Sequence, residues 1–273
     1  ATHPAATIIA GATEIGVRTN KFQQDPAVIL SLANLPAITE SVTVKSGVMH
    51  IGPRATWALI ERACEEHLPE FTKIIRVFGG PAIRNVATLA GNIANASPIA
   101  DRIPLLMVLE GSLELTSPAN VREVPINSFY RGYKQIDLAA NELITSIRIP
   151  IPAMEDLLRL YKVSKRRDLD ISTFGAAVWM QVSDGRITAC RIAYAGVAQT
   201  VLRLSKTEAA LIGQPVREET FTKAGKVARA EVSPISDVRG SADFRLQLCQ
   251  NILTKFYYEV FYTSSLVSAT VEP

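Results

Sequence analysis

The chain has 273 residues, long enough for two domains of ordinary size and short for three. Its 48% hydrophobic and 20% charged residues exclude a disordered chain, and a net charge of +3 spread along the sequence makes no basic stripe for nucleic acid. Its apolar runs, such as Leu105–Leu109, fall far short of the about 20 residues a bilayer span needs, and Ala1–Ala6 lacks the charged start and apolar core of a signal peptide.

Taken in chain order, Thr7–Ala10 reads as a strand running into a tight Gly11-Ala12-Thr13 loop. Val28–Leu32 reads as a second strand, followed by a turn at Asn34-Leu35-Pro36. Ser41–Val44 and Val48–Ile51 read as a hairpin around Lys45-Ser46-Gly47, where Gly47 can take positive φ. Thr56 can cap a helix over Ala58–His67, with Ala58, Leu59, Ala63 and Leu68 as its apolar positions. Val77–Asp101 is dense in small and polar residues and has little periodicity. Leu105–Glu110 reads as a helix, Ser112–Ser117 and Glu142–Ile149 as strands, and Pro150 and Pro152 mark a domain boundary.

The second half reads as an antiparallel sheet: Leu158–Ser164, Ser172–Val182, Ile187–Val197 and Thr200–Leu204, with Asp184-Gly185 as a hairpin turn. Three helices follow, over Thr207–Ile212, over Glu218–Ala230, and after a Ser241 cap with Phe244, Leu248, Ile252, Phe256 and Val260 as its apolar face. Residues 263–273 have no pattern and read as a loose tail.

Two segments carry chemistry. Ile8–Gly16 places small residues after a strand, leaving backbone N–H groups that can bind an anion; a plain strand–turn–helix corner has the same look. Arg84–Asp101 interleaves hydrogen-bonding groups (Thr88, Asn92, Asn95, Ser97, Asp101) with apolar residues, and Gly91 lets backbone approach a ligand. A polar loop closed by its own turns is the competing reading. Phe78 can stack on an aromatic ring or simply join the core. Lys162, Arg166, Arg167, Asp168 and Asp170 form a charge cluster that position alone would make a solvated loop. His3, His50 and His67 lack metal-ligand spacing, and there is neither a P-loop nor a Gly-x-Ser-x-Gly elbow, so no catalytic side chain and no metal ligand is assigned. Cys64, Cys190 and Cys249 are few and far apart, which points to a reducing, cytoplasmic setting and leaves no cysteine set for an iron–sulfur cluster or zinc in this chain.

Together these segments resemble the FAD-binding subunit or domain of the molybdenum hydroxylases, the xanthine dehydrogenase and aerobic carbon monoxide dehydrogenase family. The nearest likeness is to the flavin portion of bacterial xanthine dehydrogenase small subunits. Ile8–Gly16 looks like the family's first flavin loop. Ile83–Asp101 looks like the second, with Arg84-Asn85-Val86-Ala87-Thr88, Gly91-Asn92-Ile93 and Ala96-Ser97-Pro98 in order. Phe129–Tyr133 and Glu142–Pro150 match the segment that closes the flavin domain, Lys162–Ile171 the charged loop beside the flavin, and Ser236–Ser241 with Phe244-Arg245 the C-terminal helical signature.

The resemblance implies an α+β fold: a two-subdomain FAD-binding domain of the vanillyl-alcohol-oxidase type over residues 1–152, with a subdomain boundary near 45. An antiparallel sheet with a small helical bundle would follow over 153–262. It implies that Ile8, Ile9, Gly11, Thr13, Glu14 and Ile15 line the first flavin loop and Phe78, Thr88, Gly91, Asn92, Asn95, Ser97 and Asp101 the second. Ile144 would give an apolar contact to the ring system, Lys162 a charged one, and Asp170 with the neighbouring arginines would set the field where a nicotinamide docks. It implies FAD as cofactor, NAD as acceptor (or oxygen), and partners that carry [2Fe–2S] centres and the molybdenum cofactor, with neither nucleic acid nor membrane involved. Three departures from the family's pattern stand out: Ala90 in place of a glycine, where a methyl near the diphosphate would weaken binding; Asn95 in place of a smaller residue; and Arg102, which can compete for Asp101. An independent flavoprotein oxidoreductase and a flavin-free assembly domain are the rival readings. The chain opens at Ala1 without methionine and enters a strand at Thr7, so it is expected to be a piece of a longer protein.

Overall fold

The structure, a computed structural model, describes residues 3, 5–35 and 38–262. The tail over 263–273 and Pro36 of the expected turn lie outside the described residues. The chain forms two units. One comprises residues up to Ser97, Leu109–Ile151 and Arg166–Asp170; the other comprises Pro98–Val108, Pro152–Lys165 and the chain from Ile171 on.

The first unit begins with β1 (Thr7–Ile9), α1 (Thr13–Phe22) and β2 (Ile29–Ser31), a β-α-β corner whose two strands pair in parallel. The hairpin β3 (Val42–Lys45) and β4 (Val48–Ile51) turns on Ser46 and Gly47 at φ 48° and 73°, the two positive values that a two-residue hairpin loop needs. Helix α2 (Trp57–His67) is capped as expected, Thr56 Oγ1 accepting from Leu59 N at 3.4 Å. Its buried stripe is Trp57, Ile60 and Cys64 rather than the expected Ala58, Leu59 and Ala63, because the helix starts one residue earlier and Trp57 goes inside.

Then follow α3 (Pro69–Arg76), α4 (Pro81–Arg84) and α5 (Leu89–Ala94), so the stretch read as aperiodic holds two short helices. Helix α6 (Ile103–Val108) belongs to the second unit. After it come β5 (Ser112–Thr116), β6 (Val121–Pro125), α7 (Ile126–Phe129), the small hairpin β7 (Tyr130–Gly132) and β8 (Gln135–Ile136), and β9 (Leu143–Pro150). The main sheet has the order β3-β4-β9-β5-β6, all antiparallel, with β9 in the middle. Met49, Ile51, Leu113, Leu115, Ile147 and Ile149 are buried on it, and the rings of Trp57 and Phe71 meet edge to face at 6.0 Å.

The second unit is a four-stranded antiparallel sheet: β10 (Leu157–Val163), β11 (Phe174–Ser183), β12 (Arg186–Ala195) and β13 (Leu202–Arg203). The β11–β12 turn is Asp184-Gly185, again at two positive φ values, 50° and 69°. Residues Phe174–Met180 are all buried, because both faces of β11 are covered. Phe174, Ala176, Val178 and Met180 join a core with α8 (Ser205–Leu211), α9 (Glu218–Glu231) and α10 (Ala242–Tyr257). Helix α6, buried at every position, packs on β11 and β12. Its last carbonyls are met by arginines of the sheet: Arg203 Nη1 donates to Met107 O and Arg191 Nη1 to Val108 O, 3.3 and 3.4 Å.

Ser241 caps α10, its Oγ accepting from Phe244 N at 3.1 Å. The buried face of that helix is Arg245, Cys249, Ile252, Leu253 and Phe256, whereas Phe244, expected inside, is 47% exposed. A strict i, i+4 series walks about 40° around the helix at each step, so it cannot stay on one face. No helix among the described residues is long and apolar enough to cross a membrane.

Candidate functional site

In the first unit, β1 delivers the chain into Ala10-Gly11-Ala12 and α1. Gly11 is required by space: a Cβ there would stand 1.9 Å from the carbonyl oxygen of Val86 and 2.9 Å from Cα of Ala87. The first loop therefore lies directly on the backbone of the second. Ala12, the residue before α1, has φ 55° and no side chain that can cap the helix. Side-chain caps form at α2, α5 and α10, by Thr56, Thr88 and Ser241, whereas α1 shares the lack of one with α3, α4, α7, α8 and α9. An uncapped helix start beside a glycine forced against a neighbouring strand of backbone leaves N–H donors and positive helix-end charge for an anion.

The second loop is held rigid from behind. Arg84 Nη1 donates to the carbonyls of Phe78 and Gly79 at 3.0 and 2.6 Å, and Trp57 N donates to Ala87 O at 3.0 Å. Thr88 is the N-cap of α5, its Oγ1 accepting from Gly91 N at 3.1 Å. Ala90 is 7% exposed, so the methyl that replaces the family's glycine is turned into the unit. Asn92 Oδ1 is buried with no hydrogen-bond partner, an acceptor kept open at a cost of about 1–3 kcal/mol. Asn95 joins the two loops, its Nδ2 donating to Glu14 Oε2 at 3.2 Å across 81 positions of sequence. Phe78 meets the Trp57 ring edge to face at 5.8 Å, and Ser97 follows Ala96, whose φ is 49°.

The loop that carries Asp170 is tied to the residue before Phe78, Leu169 N donating to Val77 O at 3.2 Å. Ile144 is on β9 opposite Leu115 and 6% exposed. Asp170 closes its own loop, accepting from Arg166 N at 3.0 Å and pairing with the Arg166 guanidinium at 3.3 Å.

In the second unit, Asp101, Arg102, Lys162 and Ser172 form a buried cluster. Lys162 Nζ donates to Asp101 Oδ2 at 2.7 Å and to Ser172 Oγ at 2.6 Å, and Arg102 Nη1 stands 3.6 Å from the same Oδ2. Arg102 does compete for Asp101, but only for that oxygen. Burial pushes the Arg102 guanidinium down to about 10, with Asp101 pulling the other way. Asp101 Oδ1 is buried with no partner, a second acceptor held open.

Lys134 escapes sequence reasoning. Its Nζ donates to Asn95 O at 2.6 Å and Asn95 Oδ1 at 3.0 Å. Burial pushes its ammonium down, Glu14 raises it and Arg18 lowers it. Nothing local marks it, since Asn95 is 39 residues away. Cys64, Cys190 and Cys249 are buried thiols, and burial pushes Cys64 and Cys249 up to about 12.

Within the first unit, the start of α1 and the open Asn92 Oδ1 suit a ligand with an anionic portion and a hydrogen-bond donor. The family described as "FAD binding domain in molybdopterin dehydrogenase" matches residues 1–152, and "CO dehydrogenase flavoprotein C-terminal domain" matches residues 159–260. The chain is 30% identical over 262 residues to the xanthine dehydrogenase FAD-binding subunit of Escherichia coli O157:H7, covering 95% of this chain and 90% of that one. It is 28% identical over 289 residues to xanthine dehydrogenase 1 of Arabidopsis thaliana, covering 100% of this chain and 21% of that one. Among solved structures it is similar to carbon monoxide dehydrogenase from Hydrogenophaga pseudoflava, with TM-score 0.86, 26% identity and coverage of 92% and 88%. It is also similar to quinoline 2-oxidoreductase from Pseudomonas putida 86, with TM-score 0.85, 26% identity and coverage of 94% and 89%.

Proposed function

The chain belongs to the family of FAD-binding domains of molybdopterin dehydrogenases, and on that premise we propose that it is the FAD-carrying electron-transfer component of a molybdenum hydroxylase, most like xanthine dehydrogenase. One observation carries the reading: Gly11 lies on the Val86 carbonyl while the adjoining start of α1 has no side-chain cap. That arrangement brings the two loops together beside a helix start that no side chain caps.

Residues 1–152 are the FAD-binding portion and 153–262 the C-terminal flavoprotein portion. Ile8, Ile9, Gly11, Thr13, Glu14 and Ile15 are assigned to the first flavin loop. Phe78, Thr88, Gly91, Asn92, Asn95 and Ser97 are assigned to the second, with Asp101, Ile144, Lys162 and Asp170 as further cofactor contacts. When bound, FAD supplies the redox chemistry, accepting electrons from [2Fe–2S] centres on a partner and passing them to NAD⁺ or oxygen.

The chain's own part is to bind and orient. N–H groups at the start of α1 receive the diphosphate, and Gly11 keeps that backbone close. Asn92 Oδ1 and Asp101 Oδ1 each offer one fixed acceptor for a cofactor donor. Lys162 and Arg102 hold Asp101 from one side, so its second oxygen keeps a single direction. No side chain acts as acid, base or nucleophile. The partners are an iron–sulfur chain or domain and a molybdenum-cofactor chain, and the setting is the cytoplasm.

The test is to purify the chain, scan for the absorbance of oxidised flavin, titrate any apo protein with FAD, and then add NADH with a dye acceptor. About one FAD per chain and dye reduction by NADH are expected. A colourless protein that takes up no FAD overturns the cofactor assignment; a flavoprotein inert to NADH overturns NAD as acceptor.

A further inference from the structure

The β7–β8 hairpin is anchored at its base and grips the second loop with its strand and its tip. At the base, Asp137 N donates to Phe129 O at 2.8 Å, and the Asp137 carboxylate pairs with Arg122 of β6 at 3.1 Å and Arg131 of β7 at 2.9 Å. Midway, Tyr130 OH donates to Ile93 O of α5 at 3.2 Å. At the tip, Gly132 pairs with Gln135, leaving Tyr133 and Lys134 as the turn, and Lys134 sits at φ 56°. A lysine rarely adopts this left-handed backbone, and two hydrogen bonds to Asn95 hold it there.

Donor chemistry fixes what this grip does. An ammonium can only donate, so the Asn95 atom it reaches must be the amide oxygen. The Asn95 amide nitrogen is then left to face Glu14, to which it donates at 3.2 Å. Lys134 and Glu14 together thus set the orientation of the Asn95 side chain, which ties the second loop to the first.

We propose that the β7–β8 hairpin is a clasp that sets how long the flavin cofactor stays bound, with Lys134 and Tyr130 as positioning residues acting through Asn95 and Ile93. This rests on the reading that the two loops hold FAD. The clasp slows cofactor release by keeping the Asn95–Glu14 bridge closed. It predicts an effect on the release rate from residues at the hairpin, with the electron-transfer groups untouched.

The experiment loads the full chain with FAD, dilutes it, and follows release by the return of free-flavin fluorescence. Lys134→Met is expected to speed release about tenfold, Lys134→Arg to restore most of the wild-type rate, and Tyr130→Phe to speed release about threefold. Thermal unfolding of the apo variants should match wild type; if Lys134→Met lowers it, the rate of Lys134→Arg decides. If the wild-type chain takes up no FAD, the cofactor reading itself fails and the clasp with it. If wild type holds FAD and Lys134→Met releases it at the wild-type rate, the cofactor reading stands and the clasp is overturned. The clasp is also overturned if Tyr130→Phe is silent and the Lys134→Met effect vanishes at high salt, since Lys134 would then act as a charge on the cofactor.

Discussion

The β1–α1–β2 corner and the β10–β13 sheet treat their apolar residues in opposite ways. On β11 seven consecutive residues are buried; on β2 all three are exposed, with Ile29 at 49% and Leu30 at 43%. Helix α10 buries five residues and is capped by Ser241, whereas α1 buries none and has no side-chain cap. The sheet satisfies its own groups, down to the α6 carbonyls met by Arg191 and Arg203. The corner keeps donors and a glycine contact whose use lies outside the chain itself. On the proposed function, stability resides in the sheet and ligand binding at the corner, and low burial makes the corner the softer of the two.

The strongest way to break this division is at Glu208, which is 8% exposed, accepts from Ile192 N at 2.7 Å and pairs with Arg203. Glu208→Ala removes the acceptor of the Ile192 N–H and one partner of Arg203, whose Nη1 still donates to Met107 O, and should cost about 2–3 kcal/mol in chemical denaturation. The FAD affinity of the folded fraction should stay unchanged; a parallel loss of affinity would refute the separation.

Gly11→Val tests the other side. Its Cβ cannot fit against the Val86 carbonyl, 1.9 Å away, so the loops must part. FAD affinity should drop about 100-fold or more, which is about 2.7 kcal/mol, with little change in thermal unfolding. An unfolding temperature that falls while flavin titration stays normal would place Gly11 among the structural glycines.

Smaller effects sharpen the comparison. Thr88→Ala and Ser241→Ala each remove one cap and should each cost about 1 kcal/mol of stability, but only Thr88→Ala should also weaken FAD. Equal flavin titrations for the two variants would count against Thr88 as a site residue.

The smallest effect is seen in acid. The Arg122 guanidinium, followed by the N–H of Ala139, holds the Glu142 carboxyl down to about 2. A depressed folded pKa contributes stability above the unfolded value of about 4.3 and loses it as pH falls toward about 2. Arg122→Ala should therefore lower the urea midpoint at about pH 6, and the gap from wild type should shrink to a fraction of that at about pH 2.5. A gap of constant size at both pH values would show that the Arg122–Glu142 pair does not titrate as described.

Much of the local architecture was legible in the chain. Ser46-Gly47 and Asp184-Gly185 announce hairpin turns because few residues tolerate two positive φ values in succession. Thr56 and Ser241 announce helix starts because a short oxygen side chain can reach back to an N–H. The two candidate loops stand out because small and polar residues there replace the periodic apolar ones. Helix faces were harder. Phe244 is exposed and Arg245 buried because the carbonyls of Thr173 and Ile235 and the carboxylate of Asp237 all accept from that guanidinium, partners far from the helix in sequence or off its periodic pattern.

Sequence by itself determined the two hairpin turns, the caps at Thr56 and Ser241, most of the strands and the helices α2, α6, α8, α9 and α10, since each depends on backbone preferences within a few residues; it marked two loops as candidates for a cofactor and left α1, α3, α4, α5 and the stretch from β6 to β8 unassigned. Tertiary structure decided which segments meet. Strand β9 enters the sheet between β4 and β5, α6 packs on the sheet of the second unit, and Lys134 reaches Asn95. Those choices rest on burial and hydrogen-bond satisfaction summed over residues distant in the chain. The Gly11–Val86 contact shows the difference most directly: the glycine is visible in sequence, but the carbonyl that requires it is not.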